Sequence, residues 1–214
     1  LTPMKPGSAG IQFLGVQLDI VDDEGNSVPP NVLGNLIIRT PFPMLSRTLW
    51  NEPERFYKEY YSQVEDAYFS SDLALYDKDG HFWVVGRSDD AFNVAGHRLS
   101  TMEMESAVLE VRGVSETAVI GIPDDIKGEV PLVFVRTSQK DDLEGLKERV
   151  TSNIIEHIGK IAQPKTVIVV DELPKTISGK IVRRLLKEIA VTGEVTGDLT
   201  GLDDPSIINH IQEQ

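Results

Sequence analysis

The first 87 residues alternate apolar and polar side chains in the way that half-buried β-strands do. Val16, Leu18 and Ile20, for example, are separated by single polar residues. Short polar segments that contain glycine interrupt these runs, as turns do between neighbouring strands. The pattern therefore predicts strands at 11–21, 35–39, 73–76 and 82–85, and a short helix at 49–61.

After residue 87 the spacing of apolar residues becomes helical in three places. Ser100 and Glu103 form a capping box, because the Ser hydroxyl can accept from the amide three residues on while Glu reaches back. The three helices are predicted to follow Ser100, to span 143–158, and to begin near Ser178. Between them, strands are predicted at 118–122, 130–135 and 166–170, and a weak amphipathic stretch covers 207–211.

The order of these elements predicts an α+β chain of two parts and a tail. Residues 1–88 form a small β-rich subdomain. Residues 89–190 form a compact mixed α/β lobe with a sheet of three or more strands and about three helices. Residues 191–214 are expected to form a tail.

Composition narrows the class of protein without identifying it. A net charge of −13 opposes general binding to nucleic acid or to an anionic membrane, and the absence of cysteine excludes disulfides and a thiol nucleophile. No apolar run approaches the roughly 20 residues of a membrane helix. There is no basic-then-apolar leader, so no secretory signal is expected. The absence of cysteine fits a reducing cytoplasm, where we expect the protein. The chain begins within loop-like sequence at Leu1, so we expect a piece of a longer protein.

Lys180 lies in a short loop between Pro174 and Arg184 that could carry chemistry. At a helix start the macrodipole disfavours a cation, so a lysine there makes sense if it and the free backbone amides face an anion. The alternative is a surface loop followed by a basic amphipathic helix with solvated charges. The loop is not the common phosphate-binding loop, because only Ser-Gly-Lys of that motif is present and Ile181 follows.

A second segment, 86–98, joins the two parts and contains Arg87 and Arg98 around two aspartates and a glycine turn. Arginine suits phosphate and ribose because its planar fork donates several fixed hydrogen bonds. The alternative is a charged linker with internal salt bridges. Asp72, at a predicted strand edge, could accept from two ribose hydroxyls, although a lone Asp beside a turn is more often a turn residue.

Three segments in this order, 68–72, 86–98 and 174–180, resemble the conserved blocks of the adenylate-forming superfamily, which includes acyl-CoA synthetases, luciferases and peptide-synthetase adenylation domains. Within it, the chain is most similar to the AMP-forming acetyl-CoA and propionyl-CoA synthetases. That second resemblance rests on the segments 5–8, 42–49, 54–56, 93–98 and 204–208. It implies that 1–88 is the end of a large N-terminal domain and that 89–190 is a mobile C-terminal domain.

The resemblance also implies a role for each matching residue. Lys180 is the expected catalytic lysine, and Asp89 is the expected hinge. The residues expected to bind ATP or AMP are Asp72, Arg87 and Arg98. Coenzyme A is expected against Ala95 and Gly96, and at Ile155. A cation held by backbone carbonyls is expected at Leu109, Val111 and Val114.

The implied reaction explains the need for cations. A carboxylate attacks the α-phosphorus of ATP, and an ammonium with Mg²⁺ stabilises the charge that builds on phosphate oxygens. Losing one such contact costs on the order of 3 kcal/mol. The thiol of CoA then attacks the acyl-adenylate, after the lobe has turned and withdrawn Lys180.

Two positions depart from the family pattern. Ser71 stands where glycine is usual, and Ile155 stands where many relatives have an arginine that holds the 3′-phosphate of CoA. The phosphate loop, adenine pocket and acyl pocket of the family have no matching motif in this sequence. We therefore expect the missing N-terminal lobe to be its partner, with ATP, CoA and a small carboxylate as ligands, and little activity of the 214 residues alone. The alternatives are an adenylating domain that loads a carrier protein and a non-catalytic regulatory module of the same fold.

Overall fold

The computed structural model describes residues 3–138, 141–195, 199 and 201–212. The chain divides into two compact units, Leu1–Asp89 and Asp90–Gln214. Strands and helices occur in both units, so the α+β class predicted from the sequence is confirmed.

The first unit is built on a five-stranded antiparallel sheet with the order β1-β5-β4-β3-β2. Its helix, α1, packs against β4. The elements are β1 (Gly10–Ile11), β2 (Leu18–Val21), β3 (Gly34–Ile38), α1 (Pro53–Tyr60), β4 (Tyr68–Tyr76) and β5 (His81–Arg87).

Three predicted elements of the first unit differ clearly from the observed ones. The strand predicted at 73–76 begins already at Tyr68. The run 11–21 is divided into β1 and β2, because β1 pairs with β5 at one edge of the sheet and β2 pairs with β3 at the other. The helix predicted at 49–61 begins only at Pro53, where a proline fits the first turn because its missing amide has no intrahelical partner.

The second unit centres on the long hairpin of β8 (Val114–Asp124) and β9 (Gly128–Thr137). On its other side β9 pairs in parallel with β10 (Thr166–Val170), and β6 (Phe92–Val94) joins β9 and the antiparallel β7 (His97–Leu99). The helices are α2 (Thr101–Leu109), α3 (Leu143–His157), α4 (Arg183–Thr192) and α5 (Ile207–Gln212), with a 3₁₀ helix at Lys160–Ala162.

Alternate residues of the β8–β9 hairpin face two separate hydrophobic cores. Val119, Val133 and Val135 pack with α2 and α3, whereas Ile120 and Phe134 pack with α4 and α5. Both faces are covered, so the middle of each strand is buried at every position. The apolar stretch 207–211 contributes Ile207, Ile208 and Ile211 to the second core.

The predicted N-cap of α2 is confirmed. The Ser100 hydroxyl accepts from the Glu103 amide, and Met104 and Val108 on the inner face of the helix are fully buried. Within the described residues no helix is long and apolar enough to cross a membrane.

Candidate functional site

Lys180 lies on a tight hairpin, not at a helix start. Lys175 pairs with Ile181, the Thr176 amide donates to the Lys180 carbonyl at 2.8 Å, and the Gly179 amide donates to the Thr176 carbonyl. Gly179 has φ +82°, in the left-handed region that glycine favours. The helix predicted from Ser178 is therefore wrong at its start, because the chain first closes this hairpin, and α4 begins only at Arg183.

The Lys180 ammonium is exposed and has no ionic or hydrogen-bond partner in the described parts of the chain. Lys175, five residues earlier on the same hairpin, forms an ion pair with Glu116 at 2.7 Å and is only 25% exposed. The hairpin thus presents one lysine to solvent at its end and holds the other at its base. An unpaired ammonium on an ordered turn can meet an anion that arrives from outside the lobe.

In the first unit, Asp72, Arg87 and Asp89 lie together. Asp72 on β4 pairs directly with Arg87 on β5, and the Arg87 guanidinium lies 3.4 Å from the Asp72 carboxylate and 3.3 Å from that of Asp89. Arg87 also donates to the Ser70 carbonyl. All three charged side chains are at least partly exposed, so these ion pairs can reorganise around a polar ligand.

Ser71 explains why glycine is usual at its position in the family that the sequence resembles. Its φ is +60°, the left-handed region in which an ordinary side chain is strained. The Ser88 amide donates to the Ser71 carbonyl at 3.0 Å, which fixes this conformation beside Asp72. The serine keeps the backbone that glycine would adopt more easily.

Ala95 and Gly96 form the two-residue turn between β6 and β7. Both have positive φ, +48° and +83°, as a type I′ turn requires, and both are exposed. The Ala95 amide donates to the Lys127 carbonyl at 2.8 Å, so the turn is tied to the end of the β8–β9 hairpin. Alanine is strained in this conformation, and such strain is characteristic of functional turns. Arg98 follows on β7, half-buried and opposite Asn93.

The remaining predicted residues lie at the ends and faces of helices. Ile155 is half-buried on α3. Leu109 ends α2, and Val111 and Val114 follow where helix carbonyls lack intrahelical partners and the dipole favours a cation. The Val111 carbonyl already accepts from the Val114 amide at 3.1 Å. A carbonyl oxygen has two lone pairs, so this bond leaves it able to bind a cation.

A partly buried charge cluster next to the Lys180 hairpin could not be recognised from the sequence. Arg183 binds both oxygens of Glu105, at 2.9 and 2.7 Å, and also Asp90 at 3.3 Å. These residues are 78 and 93 positions apart from Arg183. One feature of the sequence could have indicated the cluster: Arg183 lies at a helix start, where the helix dipole disfavours a cation that has no acidic partner.

Comparisons with known proteins identify the family and the fold that this chain resembles. Residues 103–180 match the AMP-binding enzyme C-terminal domain family. Among solved structures, the anthranilate CoA ligase AuaEII in complex with anthranoyl-AMP superimposes with a TM-score of 0.74 and 32% identity, over 88% of this chain and 36% of that one. ATP-bound MatB from Rhodopseudomonas palustris gives a TM-score of 0.72 and 26% identity, over 87% and 36%. The chain therefore matches this domain family over residues 103–180, and its fold is similar to that of adenylate-forming enzymes.

Curated proteins that are similar to this chain include acetyl-coenzyme A synthetases. The protein from Pyrobaculum arsenaticum is 45% identical over 214 residues, which are 100% of this chain and 32% of the relative. The protein from Laribacter hongkongensis is 44% identical over 98% of this chain and 33% of the relative. The chain thus spans about a third of the length of the curated relatives that it matches.

Proposed function

We propose that the chain is the C-terminal part of an AMP-forming acyl-CoA synthetase, which activates acetate or a similar short carboxylate with ATP and CoA. The observation that carries this proposal is the exposed Lys180 ammonium on an ordered hairpin, which no described residue pairs with, at the end of the segment that matches the AMP-binding C-terminal domain. An N-terminal lobe, which relatives three times as long possess, would supply the pockets for adenine and for the acyl group.

In the first half-reaction the carboxylate oxygen attacks the α-phosphorus and pyrophosphate leaves. Lys180 donates to phosphate oxygens on which negative charge accumulates, and this contact strengthens in the transition state. Asp72 accepts from ribose hydroxyls while Arg87, beside it, holds the ribose side, and Arg98 contacts phosphate. Each of these assignments follows the family pattern at the matching position.

Magnesium is proposed as a companion of ATP. In the described part of the chain no group of three His, Cys, Asp or Glu side chains is placed to hold a metal ion. Mg²⁺ usually binds through one or two carboxylates together with substrate phosphates, so these residues do not form a site of their own for it. The carbonyls of Leu109, Val111 and Val114 are proposed for a cation that is separate from the reaction.

In the second half-reaction the CoA sulfur attacks the acyl-adenylate carbonyl and AMP leaves. We propose that the lobe turns about Asp89, which carries Lys180 away and brings in the Ala95–Gly96 turn to line the path of the thiol. The turn is exposed and its side chains are no larger than a methyl group, so the pantetheine chain can approach its backbone closely. Ile155 offers no charge to the 3′-phosphate, so that phosphate is expected to lack the arginine contact of other relatives.

The test uses a protein of the relatives' full length that contains this chain. Lys180→Ala should lower acetate-dependent exchange of pyrophosphate into ATP by a hundredfold or more. Thioester formation from supplied acetyl-adenylate should stay near the wild-type rate. Lys160→Ala, an exposed lysine on the 3₁₀ helix, is the control and should affect neither step. Equal loss in both steps would reject the role of Lys180.

The same experiment separates the alternatives. A carrier-loading domain would transfer the acyl group to a carrier protein and not to CoA. A regulatory module would support neither half-reaction in the full-length protein. The 214 residues alone should release no pyrophosphate with ATP and acetate, and release at a comparable rate would contradict the need for a second lobe.

A further inference from the structure

The first leg of the Lys180 hairpin is anchored by a half-buried carboxylate, that of Glu116. Lys175 lies 2.7 Å from Glu116 on β8, and Arg136 on β9 donates to the same carboxylate at 2.9 Å. Arg136 also donates through Nε to the Asp171 carbonyl, just after β10. The entry to the hairpin is therefore joined to three strands of the sheet through Glu116.

Charge balance keeps this anchor ionised. Burial alone would raise the pKa of Glu116, but the ion pairs with Lys175 and Arg136 outweigh burial and lower the pKa below its ordinary value. A lowered pKa means that the folded state prefers the carboxylate, so the anchor is intact above about pH 4.5 and weakens as the pH falls.

The second leg ends in another anchor. Arg183, the first residue of α4, grips both oxygens of Glu105 on α2, and Glu105 is only 8% exposed. The same carboxylate accepts from the Val119 amide at 2.9 Å, which joins it to β8. Arg183 also pairs with Asp90, the residue that follows the candidate hinge. Because two parallel hydrogen bonds join Arg183 to Glu105, the pair fixes the orientation of the arginine side chain as well as its distance from the carboxylate.

We propose that Glu116 and Glu105 are positioning residues for Lys180, one for each leg of its hairpin. This inference rests on the proposed function. Between the two legs of the hairpin the bridged pair is Lys175 with Ile181, and a two-stranded ribbon is at best marginally stable by itself. The first leg also pairs through Thr176 with Leu202, whereas the second leg, which carries Lys180, lies between the turn and Arg183. Lys180 is five residues from the first anchor and three from the second. Without the anchors its ammonium would sample a larger volume, and a displacement of about 1 Å at a catalytic group costs up to a hundredfold in rate.

The first test measures the hairpin directly in the 214-residue chain, by amide hydrogen exchange. Glu116→Gln and Glu105→Gln keep the shape of the side chain and remove its charge. Each should speed exchange at the Thr176 and Gly179 amides by about tenfold or more, with α3 unchanged. Glu144→Gln removes the exposed pair with Lys147, also 2.7 Å long, and should leave the hairpin unchanged. Unchanged exchange in both anchor variants would overturn the proposal.

The second test separates positioning from general destabilisation, in the full-length protein. The anchor variants should slow adenylation ten- to hundredfold at an unchanged KM for ATP, because Lys180 acts on the transition state. Thioester formation from supplied acyl-adenylate should be unaffected, since Lys180 is withdrawn in that step. Equal loss in both steps would show a structural role only and overturn the proposal.

The proposal can still be tested if one variant does not fold or if the full-length protein is inactive. If Glu105→Gln does not fold, Glu116→Gln, whose site is more exposed, carries both tests. If the full-length wild type does not adenylate, the proposed function is wrong, whereas the exchange experiment still decides whether the carboxylates hold the hairpin.

Discussion

Gly121 on β8 offers a sharp test of the packing beneath the Ala95–Gly96 turn. A Cβ at this position would lie 2.4 Å from Cβ and 2.6 Å from Cγ of Phe92, which is 2% exposed on β6. Ordinary contact begins at 3.4 Å, so Phe92 and its strand must retreat by about 1 Å. Overpacking of this kind destabilises the folded state by about 1–3 kcal/mol. Alanine also lowers the conformational entropy of the unfolded chain, which favours folding by about 0.5–1 kcal/mol.

We therefore expect Gly121→Ala to lower the free energy of unfolding of the second unit by about 1–2 kcal/mol. For a unit of this size that loss lowers the Tm by roughly 4–8 °C. The matched control is Gly145→Ala on α3, where the added Cβ lies 2.3 Å from the Asp142 carboxylate. That carboxylate caps α3 by accepting from the Gly145 amide, so displacing it costs about 1 kcal/mol. Alanine is more favourable than glycine in a helix by about the same amount, so the control should change stability by less than about 1 kcal/mol.

The assay can follow each unit separately. Trp50 and Trp83 and all five tyrosines precede residue 90, so tryptophan fluorescence reports the first unit alone. Far-UV circular dichroism reports mainly the second unit, because α2, α3 and α4 supply most of the helical signal. Gly121→Ala should shift the dichroism transition and leave the fluorescence transition in place. Equal stability of the two alanine variants would refute the reasoning that the rigidity of the neighbour sets the cost.

Two further predictions concern the first unit. Ser71→Gly should relieve the left-handed strain at φ +60° and raise the free energy of unfolding by up to about 1 kcal/mol. The unfolding midpoint is measured by fluorescence, and a midpoint below that of the wild type would contradict this prediction. The Lys5 ammonium, more than any other group, lowers the pKa of Asp77 to about 2. The unit should therefore lose stability as the pH falls from about 4 towards 2, and Asp77→Asn should flatten that dependence in acid titrations followed by fluorescence.

Local patterns in the sequence predicted most elements, because alternation and helical spacing report burial directly. The Ser100 cap and the strands of the β8–β9 hairpin are examples, and they need no knowledge of distant contacts. The three family blocks likewise gave the candidate residues by position, although their roles stay predictions.

Features that depend on tertiary contacts could not be predicted. The start of α4 moved from Ser178 to Arg183 because Lys175 pairs with Ile181 and closes a hairpin first. Nothing local distinguishes that hairpin from a helix start with Ser as the cap. The pairs made by Arg183 with Glu105 and Asp90 join sites 78 and 93 positions apart, and one sequence contains no signal for such distances.

The β8–β9 hairpin has a mechanical consequence. Its central residues are enclosed on both sides, so neither strand can bend or slide without opening one core or the other. The second unit is therefore expected to rotate as a rigid body and not to deform along this hairpin. If it rotates in this way, loops at the two ends of the hairpin move together with it. Rotation about one residue of the connecting chain would then be enough to replace one loop by another at a given place.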